Sequence, residues 1–407
     1  MSDLSWYSVK TRQLQREKVI FELTGCTKRA LLLTAGLIYA GRNRFFLSMM
    51  LPEKLFDDLP SDAVPPAPAP KDAHLIELAR CLPRNIRLGA SSWNFPGWRG
   101  IVYSRGSGTQ GLATTGLGAY AQFPIFRTVG LDRNFYRPLD AAVFSRFADQ
   151  VPDDFRFLVK APRETTDPYL RYENGRPRSE NPSFLNPQLA QKNFLAPVHA
   201  GLGDKAGPLV FQFSPLPHAV LRSVEDRIKL VERIAAYFRA LQDFNFSGRL
   251  LAAEFRNYEL LTPRMLSALK DCGIRPVLGL HPAMPGVRRQ IEALYFYETG
   301  RRAEKGANEA PAYDPDWRFS GPVVIRWSLA AHRFYDTAKR DWMPFDAIHA
   351  ADPVTRALLA GVIVRAARSG VESFMVANNK AEGCAPKTMR AVAELVVKAL
   401  RPDMVLP

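Results

Sequence analysis

Eight apolar runs of strand length recur between Ile86 and Ala377. They fall at Ile86–Ala90, Phe126–Leu131, Phe155–Val159, Leu209–Phe213, Leu250–Glu254, Pro276–Leu280, Pro322–Trp327 and Ser373–Ala377. A strand with one face in water alternates apolar and polar residues. Runs that are nearly continuous in apolar residues need cover on both faces, which helices flanking a parallel sheet provide. Most of the runs lead into a helical stretch with a physical start signal. Ser223 opens an S-x-x-D capping box ahead of apolar positions at Val224, Ile228, Val231, Ala235 and Phe238. Thr262 can cap a helix with Pro263 in its first position and Gly273 at its end. Asp352, Pro353 and Gly370 repeat that device, and Pro386 suits the first turn of a last helix. The strand–helix alternation predicts a parallel sheet. Eight such units over roughly 300 residues predict a closed (β/α)8 TIM-like barrel rather than an open doubly wound sheet. No G-x-G-x-x-G follows the first run, which argues against dinucleotide binding.

The barrel pattern occupies residues 84–407. Residues 1–83 read as an N-terminal extension that ends in a Pro/Ala-rich linker, Ser61–Pro70. Within the extension, Ala30–Ala40 is apolar but too short to span a bilayer, so membrane association is not expected. The composition shift after it raises the alternative that translation starts at Met49 or Met50. Cys26, Cys81, Cys272 and Cys384 show no CxxC spacing, as in proteins of a reduced, cytoplasmic compartment. The net charge of +15 favours a small anionic or polar ligand. Nucleic acid stays open as a partner, but the basic residues form no long run. Nothing in the sequence sets an oligomeric state.

Several stretches resemble one family. They are GASSWNFPGWRG (Gly89–Gly100), NFYRP (Asn134–Pro138), PDDFRFLVKAPRETT (Pro152–Thr166), GDKAGPLVFQF (Gly203–Phe213), AAEFR (Ala252–Arg256) and NNKAEGCAP (Asn378–Pro386). In that order they resemble the YecE-like barrel family, domain of unknown function 72, from Ile86 to about Leu400. The resemblance implies a TIM-like barrel and no particular reaction. The chain also departs from the family pattern. Gly130 stands where the family commonly has a Glu, Asp132 where it has Asn, and Asp167 where it has His. The seventh run keeps only Arg326 of an Arg-x-His-Gly-like ending. Two acid/base positions of the family are therefore missing.

Reacting groups in such a barrel come from the C-terminal ends of strands and the loops after them. Glu254 ends the fifth run, where apolar neighbours can raise its pKa and fit it for acid/base work; the structural alternative is an ion pair. Lys160 ends the third run and can be a nucleophile, a base or an anion clamp. Its structural alternative is a salt bridge to Glu254 or Asp132. Asp132 completes the candidate catalytic set. Arg256 and Arg326 can grip carboxylate or phosphate, and Gln212, Asn378 and Asn379 offer amides for ligand hydroxyls. Trp93 and Tyr136 can stack on a ligand ring. His281 is the one histidine expected at the mouth, which argues against a multinuclear zinc site. A single Mg²⁺ or Mn²⁺ between Asp132 and Glu254 stays open, and no cofactor is indicated. Cys384 precedes a helix, where a thiol pKa can fall. The connection Pro282–Gly321 should hold a helix over Val287–Arg302 and then a polar loop able to cover the mouth. Two functions compete. One is an enzyme acting on a small anionic or polyhydroxylated substrate. The other is a non-catalytic binding protein for nucleic acid or another anionic ligand.

Overall fold

The structure, a computed structural model, describes residues 64–403 apart from 109–110, 173–174, 245–248 and 307–310. The apolar run Ala30–Ala40 and the alternative starts at Met49 and Met50 lie outside the described residues. The eight runs form the strands β1 (Ile86–Ala90), β2 (Phe126–Leu131), β3 (Arg156–Lys160), β4 (Ala206–Gln212), β5 (Leu251–Glu254), β6 (Arg275–Leu280), β7 (Val323–Trp327) and β8 (Ser373–Ala377). They close into a barrel in chain order, with β8 beside β1, and all neighbours pair parallel. The (β/α)8 expectation holds.

Strand periodicity decides what the barrel interior contains. Leu158, Val210, Ala252, Val324 and Val376 pack together, apart from the main core, as an apolar layer inside the barrel. Their neighbours Phe157, Val159, Phe211, Ala253, Ile325 and Met375 join the core beneath the helices. Side chains two residues apart on a strand point the same way. The layer above the apolar one is therefore Lys160, Gln212, Glu254, Arg326 and Asn378, at the C-terminal ends of five strands. The candidate site is the polar lid of the barrel's own interior.

The helix signals act as their chemistry dictates. The side chains of Ser223, Thr262 and Asp352 each accept a backbone N–H bond at a helix start, and Ser223 with Asp226 completes the capping box. Gly273 and Gly370 adopt positive φ where those helices end. The helix after β6 runs Val287–Thr299 and stops short of Arg302, because Gly300 turns left-handed at φ 71°. The polar loop that follows, in its described part, does not serve as the expected cover over the mouth. It returns to the opposite end, where Ser320 bonds Glu298 and Glu298 pairs with Arg275 at the start of β6. The segment read as an extension also contributes a helix, Ala73–Cys81, that belongs with the barrel. Leu75, Leu78 and Cys81 enter the core, and Asp72 pairs with Arg390 of the last helix at 3.0 Å. After β7 a short helix, Tyr335–Trp342, is held by a small separate cluster of Leu329, Ala338, Trp342 and Phe345. No helix among the described residues is long and apolar enough to cross a membrane.

Candidate functional site at the barrel mouth

A chain of charges, buried except at the half-exposed Asp132, crosses the mouth. Arg326 on β7 donates through Nη1 to Glu254 on β5, and through Nη2 to Asp132 after β2 at 2.7 Å. Arg256 lies 2.6 Å from the other Glu254 oxygen, and donates to Gln212 at 3.0 Å. Glu254 is 1% exposed and Arg326 3%. Gly279 of β6 makes room for this cluster, since a Cβ there would stand 3.3 Å from the Glu254 carboxylate. Burial by itself would push the Glu254 carboxyl up, but Arg256, Arg326 and Lys160 more than offset it and hold it at about 2. A carboxyl in that state is ionised throughout the neutral range. Glu254 is thus placed as the counter-ion that fixes two guanidiniums, not as the raised-pKa acid expected from its apolar neighbours.

Lys160 behaves in the opposite sense. It is 6% exposed, and no carboxylate pairs with it among the described residues, so the expected salt bridge to Glu254 or Asp132 is not formed. Its Nζ lies 3.6 Å from the centroid of the Phe135 ring. Burial is the main cause that lowers its pKa to about 7, with the Arg326 and Arg256 charges adding to it against Asp132 and Glu254. Two donors of the neighbouring guanidiniums, Arg256 Nη1 and Arg326 Nε, are buried without a hydrogen-bond partner. Arg256 and Arg326 face two carboxylates (Asp132, Glu254), so the cluster carries an excess of positive charge while Lys160 holds its proton, and in that state it suits an anion.

The remaining predicted residues divide. Gln212 accepts from both arginines, at 3.0 and 3.4 Å, and sits between them. Asn378 donates to Ser91 Oγ at 2.9 Å and accepts from Lys380 Nζ at 3.4 Å. Tyr136 is 69% exposed at the rim. His281 is half-buried, and burial and then the Arg256 charge lower its pKa to about 4; its Nδ1 accepts the Ala283 N–H. Trp93 is a different case. Its indole is buried, stacks edge-on to Phe147 and donates to the Leu112 carbonyl at 2.9 Å, so it is core rather than a ligand platform. Asn379 is also turned inward, where Oδ1 accepts from Trp98 and from the Ala385 N–H at the start of the last helix. Cys384 is buried, and burial pushes its thiol up to about 11, against the reactive reading.

Two of the departures from the family pattern, Gly130 and Asp167, have structural reasons. A Cβ at Gly130 would lie 2.9 Å from Ser91 Cα, so β2 approaches the β1 loop too closely for a glutamate. Asp167 is buried and grips Arg171 at 2.5 and 3.1 Å. A divalent cation between Asp132 and Glu254 does not fit this arrangement, because the Arg326 guanidinium already bonds both carboxylates. Among the described residues no group of three or more His, Cys, Asp and Glu is placed to hold a metal.

One mouth residue escaped the sequence reading. Lys380 is 4% exposed, 4.0 Å over the Tyr335 ring, with no carboxylate partner among the described residues. Burial, followed by the Lys339 charge, lowers its pKa to about 8. The signal was its place in NNKAEG, two residues after the Asn378 that ends the interior layer.

The family model described as protein of unknown function DUF72 matches residues 87–405. A DUF72 family protein of known structure from Enterococcus faecalis V583 is 16% identical, with 76% of this chain and 95% of that one aligned at a TM-score of 0.48. Another, from Thermotoga maritima MSB8, is 18% identical, with 78% and 99% aligned at 0.46. No curated protein matches the sequence.

Proposed function

Because the chain belongs to the DUF72 family, whose description assigns no reaction, we propose its function from the chemistry of its own barrel mouth: an enzyme that binds a small anionic or polyhydroxylated substrate and moves protons through Lys160. The observation that carries this reading is the Lys160 amine. It is buried at a strand end without a carboxylate, and its pKa of about 7 lets it lose and regain a proton near neutrality. Neutral, it is a base or a nucleophile; protonated, it is a proton donor. Arg256 and Arg326 supply fixed N–H groups for a substrate anion, and Glu254 and Asp132 hold those groups in place. Tyr136 and the amide of Gln212 border the same space.

The test reads the amine directly. Site-resolved acylation with a dilute anhydride, followed by mass spectrometry across a pH series, should show Lys160 reacting with a midpoint near 7, far below exposed lysines. Inorganic phosphate should protect it. A midpoint near 10, or no protection by any anion tried, would overturn the proposal. The net charge of +15 supports a second reading, a binding protein for nucleic acid. Oligonucleotide affinity should then fall steeply with salt, and absence of binding at low salt removes that reading.

A further inference from the structure

A cavity of about 230 Å³ opens beside the mouth, outside the charge network just described. Three pieces of chain wall it: the loop after β2 with Phe135 and Tyr136, the loop after β3 with Arg163, and a short hairpin, Tyr169–Arg171 against Pro177–Glu180, with Leu170 and Arg178. The hairpin is fastened to the β3 loop. The side-chain amide of Asn181 donates to the Glu164 carbonyl at 2.6 Å and to the Asp167 carbonyl at 2.7 Å. Arg171 is bonded to Asp167 by two nitrogens. The cavity wall is therefore built, not a chance gap between loops.

Its charges are unevenly satisfied. Arg171 is neutralised by Asp167, and Glu164 accepts from the Asn193 side chain at 2.9 Å. Arg163 and Arg178 have no ion pair among the described residues. The Arg163 and Arg178 side chains thus outnumber the Glu164 carboxylate among the lining residues, Arg178 lying 6.0 Å from the Tyr172 ring centroid, while Phe135, Tyr136 and Leu170 add apolar surface. Phe135 also forms the partition, because its ring carries the Lys160 amine at 3.6 Å. The cavity and the central cluster are neighbours across one aromatic side chain.

We propose that this cavity is a second anion-binding subsite, and that the substrate is a small molecule with an anionic group at each end: one end on Arg256 and Arg326, the other on Arg163 and Arg178, with the body lying over Tyr136. The proposal rests on the reading of the central cluster as an anion site. Charge-assisted hydrogen bonds at the second end are worth about 1.5 kcal/mol or more, roughly tenfold in affinity.

Calorimetric titration with alkylphosphonates and α,ω-alkylbisphosphonates of increasing length tests it. At one length the bisphosphonate should bind about tenfold tighter than the monophosphonate of the same length. The double variant Arg163→Gln, Arg178→Gln should abolish that advantage, while inorganic phosphate still protects Lys160 from acylation at the central cluster; thermal unfolding checks that it is folded. If no length shows an advantage, or if the double variant retains it, the second subsite is refuted while the central anion site stands. If neither class of compound binds the wild-type protein, both readings fall together.

Discussion

Lys160 Nζ stands 3.6 Å above the Phe135 ring, so the one amine at the end of β3 is buried against an aromatic face and not against a carboxylate. A cation–π contact returns part of the hydration an ammonium loses on burial, but not all of it. The remainder is a stability cost with a definite pH dependence. In the unfolded chain a lysine titrates near 10.4, and in the folded protein Lys160 titrates at about 7. Between those values the unfolded state binds the extra proton. The cost is therefore full below pH 7 and is relieved as pH rises toward 10. Lys160→Met should raise stability by about 1–3 kcal/mol at pH 6. The gain should shrink steadily up to pH 10. Urea unfolding at several pH values measures both, and a gain that does not change with pH would remove the assigned titration.

Glu254→Gln should act first on stability. Its carboxylate is the shared partner of Arg256 and Arg326, and removing it leaves two guanidiniums facing each other in a nearly dry layer. Breaking a buried ion pair on one side costs about 3–5 kcal/mol. Loss of the same charge should also lower the Lys160 midpoint further, because Glu254 is one of the groups that favours its protonated form. A variant as stable as the wild type, with an unshifted Lys160 midpoint, would return Glu254 to the role of a free acid/base group.

The barrel was legible because strand burial leaves a mark in composition: a strand covered on both faces has few polar residues to spare. The helix caps were legible for a related reason, since Ser223, Thr262 and Asp352 bond backbone groups three residues away. The site was legible as a set of positions, because strand ends are fixed once strands are assigned. The roles were not. Glu254 and Lys160 look alike in sequence, each a charged residue closing an apolar run. Which one is neutralised depends on Arg256, Arg326 and Gln212, which meet only when the barrel closes. Trp93 and Asn379 were misplaced by the same gap: each sits in a loop at the mouth, but its side chain turns down into the core. The hairpin that walls the second cavity left no signal, because its strands are short and largely exposed.

Gly130 tests whether the carboxylate missing from β2 could be restored. Its Cα faces the Ser91 backbone, and an added Cβ would sit 2.9 to 3.2 Å from three main-chain atoms. Backbone cannot swing aside as a side-chain tip can. Gly130→Ala should cost about 1–3 kcal/mol, and Gly130→Glu should cost more, with no new acid/base function. Thermal unfolding of the two variants decides it. A Gly130→Glu protein of wild-type stability would mean that the β1 loop adapts.

Glu382 separates architecture from chemistry within NNKAEGCAP. Its carboxylate is fully buried below the mouth, where Oε2 accepts from Arg356 Nε at 2.9 Å and Oε1 accepts the Asp352 N–H at 2.6 Å. Asp352 is the cap of the helix Pro353–Arg368, so Glu382 ties the loop after β8 to the start of the helix before it. Glu382→Gln keeps the shape but turns one acceptor into a donor facing a backbone N–H or a guanidinium. The expected loss is about 2–3 kcal/mol of unfolding free energy. The Lys160 acylation midpoint should not move, because Glu382 is not among the charges that set it. Asn378→Ala, four residues earlier, should do the reverse: it removes the acceptor from Lys380 Nζ and the donor to Ser91 at the mouth, and should shift the reactivity of Lys380 with a smaller loss of stability. Denaturant unfolding and site-resolved acylation on the two variants, run side by side, would show whether this stretch of sequence divides at that point.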